Sequence, residues 1–203
     1  MKTLYFDLSM GAAGDMLTAA LLELTENPEE TLGRLNELGI PGVRFDAEKQ
    51  ERKGVSGTHM RVTVHGAEED GHHRHHHSTL TDIQGILDHL RASAAVKEQA
   101  KAVYERIARA EAEVHGRPVA QVHFHEVGAL DAVADVSAVC FLLEQLGADA
   151  ILASPVHTGY GQVHCAHGLL DVPAPATALL LQGITGKKAH TSAPAPLRSR
   201  WRD

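Results

Sequence analysis

Residues 66–78, GAEEDGHHRHHHS, set the first limit on how this chain can fold. The run is polar throughout, low in complexity, and lacks the apolar spacing by which a helix or strand packs. It reads as a mobile His-rich loop. The foldable sequence is thereby divided into a strand-helix-helix-strand-strand unit over 1–65 and a helical segment plus strand over 79–186 that completes the same domain. A chain of 203 residues suffices for one large domain or two small ones. At 43% hydrophobic it can bury a core, and at 4% aromatic that core is built from Ala, Leu, Val and Ile.

The elements follow from periodicity and end signals. TLYFDL (3–8) reads as a short buried strand, broken by GAAGDM (11–16), which opens a helix with Met16, Leu17, Ala20, Leu21 and Leu24 on one face. Residues 27–39 form a second helix with Asn27 as its cap, Pro28 in the first turn and Gly39 as its stop. Two strands over 43–53 and 57–65 join through a glycine turn in KGVSG. A Ser or Thr cap starts a helix in STLTDIQGILDHLRAS. In 93–115, Val96, Ala100, Val103, Ile107, Ala110 and Val114 alternate spacings of four and three, which predicts a long amphipathic helix. Residues 130–146 make an apolar helix ending at Gly147, 149–159 a strand running into a loop, and 172–183 a short helix with a Pro-rich entry. The expected class is α+β, a mixed β-sheet covered by helices, with ferredoxin-like elements over 3–64 and a later strand added.

Composition excludes several function classes. With a net charge of −7 and no basic patch, the chain is not expected to bind nucleic acid. The N-terminus lacks the apolar run of a signal peptide, and no stretch approaches the roughly 18 apolar residues of a membrane span. Cys140 and Cys165 do not make a disulfide framework. A cytoplasmic protein is expected, and a homo-oligomer.

Four segments carry candidate chemistry. His72, His73, His75, His76 and His77 suit nickel, zinc, copper or cobalt, and on a flexible loop they offer several weak, exchangeable sites rather than one rigid one. A solvated linker is the plain alternative; a purification tag is disfavoured by the internal position and the interruption at Arg74. QVHFHEVGALD (121–131) places His123, His125, Glu126 and Asp131 together. In an extended segment His123 and His125 point to one side. With a helix beginning near Val127, Asp131 and Asp135 stack one turn apart, which suits a divalent cation or proton transfer; a Glu126 cap with structural histidines is the alternative. FDLSMGAAGDM turns from strand to helix, and the turn at Gly11 and Gly14 exposes backbone N–H groups that favour a phosphate. Asp7 and Asp15 can hold a cation beside it, or Asp15 can merely cap the helix. GYGQVHCAHG (159–168) carries His164, Cys165 and His167 without a zinc spacing and reads equally as a surface loop. Cys140 is a core residue.

In this order, YFDLSMGAAGDM, the His-rich loop, VHFHEVGALDAVADV, SPVHTGYGQVHCAHG and VPAPATALLLQG resemble the LarC-type nickel insertion proteins over residues 1–186. The resemblance implies nickel insertion into pyridinium-3,5-bisthiocarboxylic acid mononucleotide, forming one carbon–nickel bond and nickel–sulfur bonds. The product is the nickel-pincer nucleotide cofactor of lactate racemase and related enzymes. It further implies a CTP requirement, assistance by Mn or Mg, and partnership with the enzymes of that cofactor's synthesis. Read from the residues themselves, that chemistry could use the 72–77 histidines to supply nickel, with Asp7 and Asp131 as further metal ligands. Gly11, Gly14 and Asp15 could hold the mononucleotide phosphate, and His123, His125 or Glu126 could accept the ring proton.

Full-length members of that family continue into a Thr- and Gly-rich stretch and a C-terminal domain that binds CTP. The ending KKAHTSAPAPLRSRWRD looks instead like the next segment read in another frame, as in members encoded as two halves joined by a programmed frameshift. The chain is accordingly expected to be the N-terminal half product, unfolded from 187 onward, incomplete without its C-terminal half and without the CTP site. Two other classes stand beside this one. A nickel store or metallochaperone would bind only through 72–77. A metal-dependent hydrolase would fit H-x-H followed by Asp, but many of those use a barrel of about 250 residues, which this chain is too short to form.

Overall fold

In the computed structural model, the described residues are 1–67, 78–124, 127–165 and 168–183. Their order is β1 (Thr3–Phe6), α1 (Gly14–Glu23), α2 (Pro28–Asn36), β2 (Val43–Arg52), β3 (Val55–Val64), β4 (Ser78–Thr79), α3 (Leu80–Asp88), α4 (Ala94–His115), β5 (His123–Phe124), α5 (Leu130–Leu146), β6 (Ala150–Ala153), β7 (Gln162–Cys165), β8 (Gly168–Asp171) and α6 (Pro175–Leu180). The expected ending over 187–203 and most of the His-rich run lie outside the described residues. Among those described, no helix is long and apolar enough to cross a membrane.

The local signals account for most boundaries. Asn27 accepts the Glu30 N–H at the start of α2, with Pro28 in its first turn. Thr79 and Asp82 cap α3 reciprocally: the Thr79 hydroxyl accepts the Asp82 N–H, and the Asp82 carboxylate accepts the Thr79 N–H at 2.8 Å. Ser93 caps α4, which ends at Gly116 in the left-handed region (φ 60°). β2 and β3 are joined by Lys53 and Gly54, both at positive φ (51° and 79°), the two-residue hairpin turn that matches the twist of the strands. That turn is tighter than the expected KGVSG loop, so β3 begins at Val55.

One hydrophobic cluster draws on α1 to α5, β2, β3 and β5. α5 runs through its middle, packed against α1 and α4 and touching the β2–β3 hairpin. Val133, Ala134, Ala138 and Leu142 are fully buried on it, so apolar residues appear on nearly every side. α4 contributes a line at every fourth residue: Val96, Ala100, Tyr104, Ala108 and Ala112.

Five expectations need correction. The class is α+β, but among the described residues the strands form four separate pairs: β1 with β6, β2 with β3, β4 with β5, and β7 with β8. Among the described residues β1 pairs in parallel with β6, far along the chain, and not with the hairpin, so 3–64 does not by itself make the ferredoxin-like arrangement. β1 is half-buried: Leu4 and Phe6 face the core while Tyr5 is 61% exposed. On α4, Val103 and Val114 are exposed, because the buried stripe steps by four and takes in Tyr104 instead. Gln162–Cys165 and Gly168–Asp171 pair antiparallel as β7 and β8, where a surface loop was the alternative.

Candidate functional site

The 123–131 segment is held by β4 and α4. β4 pairs antiparallel with β5, Ser78 opposite Phe124 and Thr79 opposite His123. The Ser78 hydroxyl donates to the Gly128 carbonyl at 3.0 Å, and the Tyr104 hydroxyl donates to the Val127 carbonyl at 3.2 Å. Phe124 is buried edge-on against the Tyr104 ring, with centroids 6.0 Å apart. Gly128 is required here, since a Cβ would stand 2.6 Å from that of Phe124 and 3.2 Å from that of Ser78.

His123 is exposed, and its charge is felt by Asp82. The Asp82 carboxyl is held below its ordinary range first by its hydrogen bonds with Thr79, and to a smaller extent by His123. His125, Glu126, and the histidines at 72, 73, 75, 76 and 77 lie outside the described residues. Ser78, directly after His77 in sequence, is nevertheless fixed one pairing step from His123.

The starts of two helices meet beside this segment. Asp131 is in the first turn of α5 and Asp135 follows one turn on, while Asp15 is in the first turn of α1. Neither helix has a capping side chain at Ala13 or Ala129. Asp15 and Asp131 instead accept the N–H of Met16 and Ala132, at 2.8 and 2.7 Å. Gly14 lets the helices touch: a Cβ there would be 2.4 Å from the Asp135 Cβ and 2.5 Å from its Oδ2. Asp135 is partly buried and its Oδ1 has no hydrogen-bond partner. Burial, then the negative charges of Asp15 and Asp131, push its carboxyl up to about 7, against a smaller opposing contribution from the Asp15 backbone N–H. Burial likewise raises the Tyr104 hydroxyl, helped by Asp131 and Asp135.

Asp7 lies elsewhere on this rim. It is exposed, accepts the Ser9 N–H at 3.0 Å, and its carboxyl is lowered mainly by Ser9 and slightly by His157. The loops that follow the parallel strands are tied together: the Leu8 N–H donates to the Ser154 hydroxyl (2.7 Å), and the His157 N–H donates to the Leu8 carbonyl (3.2 Å). Gly11 makes its turn at φ 81°. Asp7, Gly11 and His157 thus stand beyond the carboxyl ends of β1 and β6, where open parallel sheets commonly bind ligands.

Of the residues singled out in the sequence, Gly14, Asp15 and Asp131 converge, and Asp135 joins them. Asp7 is not among the groups acting on Asp135. His164 sits on β7 opposite Leu169, and His167 lies outside the described residues. Among the described residues, no group of three or more His, Cys, Asp and Glu is placed to hold a metal ion. Tyr104 and His157 carried no signal in their own neighbourhoods, whereas the Thr79-x-x-Asp82 spacing is a local capping-box pattern.

The model of a family described as nickel insertion protein matches residues 4–197. Three relatives are each named pyridinium-3,5-bisthiocarboxylic acid mononucleotide nickel insertion protein. The one from Geobacillus kaustophilus is 39% identical over 94% of this chain and 47% of its own length. Those from Staphylococcus epidermidis and Akkermansia muciniphila are 39% and 40% identical, over 90% and 89% of this chain, each across 45% of its own length. The chain therefore spans about half the length of the curated relatives it matches. No solved structure matches it.

Proposed function

Because the chain belongs to the nickel insertion protein family, we propose that it takes part in inserting nickel into pyridinium-3,5-bisthiocarboxylic acid mononucleotide, the compound for which its relatives are named. The observation that carries this reading is the β4–β5 pairing, which fixes the residue after His77 beside His123. Nickel gathered by His72, His73, His75, His76 and His77 then has a short path to His123 and Asp131. The first turns of α1 and α5 supply backbone N–H groups and carboxylates around Gly11, Gly14 and Asp15, which suit the phosphate and ribose of a mononucleotide. When a ring carbon exchanges its proton for nickel, the proton needs an acceptor, and His123, His125 or Glu126 takes it. Asp7 and Asp131 are the carboxylates assigned to metal.

CTP, with Mn or Mg, is assigned to the part of the relatives that has no counterpart here. The chain is then a component of a nickel cyclometallase of the lyase class, working with a C-terminal part. A second reading is a nickel store without chemistry of its own, in which nickel is held only through 72–77.

Nickel calorimetry on three proteins separates the two readings: the native chain, the chain with all five 72–77 histidines changed to Ser, and Asp131→Asn. Insertion chemistry predicts a tight site that survives the serine changes and weakens by about ten-fold or more in Asp131→Asn, the loss of one charged ligand costing at least 1.4 kcal/mol. If all binding vanishes with the five serines, the chain is a collector, and the roles given to 123–131 fall.

A further inference from the structure

β6 is bare on both faces. Successive residues of a strand point to opposite sides, yet Ile151 is 51% and Leu152 56% exposed. In register with Leu152 lies Tyr5 of β1, 61% exposed on the same outer face. Among the described residues β6 pairs with β1 alone, so its other edge presents unpaired N–H and C=O groups. Parallel strands occur almost always in sheets covered on both faces, and two strands by themselves are marginal.

We infer that the β1–β6 pair is a docking edge for the part of the relatives that has no counterpart in this chain: that part adds a strand beside β6 and covers both of its faces. Two observations select this occupant. The relatives match over 45–47% of their own length, so a folded unit's worth of chain is missing from the comparison. A second copy satisfies less of the surface, because edge-to-edge pairing of two β6 strands joins backbones and leaves Ile151 and Leu152 bare on the faces. Since Asp7 directly follows β1 and His157 lies four residues past the end of β6, the added strand also walls in that side of the site. The inference rests on the reading that the chain works with such a part, but not on the nickel chemistry.

The test uses intact proteins. In this chain, Leu152→Arg replaces a bare residue and is expected to leave the thermal midpoint within about 2 °C of the native value, whereas Arg at the matching position of the full-length Geobacillus kaustophilus protein lowers its midpoint by about 5 °C or more. A photo-crosslinker at that same position of the relative is expected to attach to its unmatched part. Equal, small shifts in both proteins overturn the proposal. So does a crosslink to the matched part, or one to a second copy, detected by mixing isotope-labelled and unlabelled protein. The nickel calorimetry above involves neither measurement, so each reading can fail alone.

Discussion

Asp135 is the residue whose environment departs furthest from that of a free carboxylate. Its carboxyl sits at about 7 in the fold against an ordinary value of 3.8, so folding takes up a proton between those pH values. The resulting stability is fully present below about pH 4 and is lost as pH rises through about 7. Asp135→Asn keeps the shape without the charge. In metal-free protein it is expected to match the native chain near pH 4 and to exceed it at pH 8 by on the order of 3–4 kcal/mol, read by urea unfolding at both pH values. A variant that gains nothing at pH 8 would mean that neither burial nor the charges of Asp15 and Asp131 raise this carboxyl.

Gly14 is the matching test of geometry. Ala at this position meets Asp135 at 2.4 Å, so the α1–α5 contact must open, at about 1–3 kcal/mol of overpacking. The sequence made Gly14, Asp15 and Asp131 legible through turn and cap chemistry. It did not show that α1 and α5 begin at the same place, because that depends on packing between residues more than a hundred positions apart.

At the scale of elements, the helices and the local β2–β3 hairpin were legible, and the long-range pairing of β1 with β6 was not. Asn27, Thr79, Ser93, Gly116 and Gly147 each act through hydrogen bonds or a backbone angle within a few residues, so their signals are local. β1 pairs with β6 across most of the chain, and a four-residue strand carries too little alternation to announce its partner. The exposed Val103 and Val114 show a related limit, since a spacing of three and a spacing of four both suit a helix and only the neighbours choose. The β4–α3 junction offers an element-level prediction. Thr79→Ala removes the hydroxyl from the α3 cap and from Asp82, and is expected to cost about 1 kcal/mol, within the usual 0.5–2 for a lost cap. Because Thr79 is also paired with His123, amide exchange at 123–124 should quicken with it. Faster exchange confined to α3 would show that the cap and the His123 segment are independent.

For the whole molecule, the question is whether nickel is cargo on an appendage or a tie between parts of the core. His123 belongs to β5, and Asp131 to the start of α5, the helix around which the cluster is built. An ion held by both binds the folded chain and not the unfolded one, so it raises stability by mass action, by about 2.7 kcal/mol at a hundred times its dissociation constant. Nickel is therefore expected to raise the thermal midpoint of the native chain. The rise should persist when the five 72–77 histidines become Ser, shrink in Asp131→Asn, and reverse on chelation. A midpoint shift that disappears with the five serines places the ion on the His-rich run instead. The helix junction of Asp15, Asp131 and Asp135 would then remain a carboxylate cluster that costs stability at neutral pH without nickel to offset it.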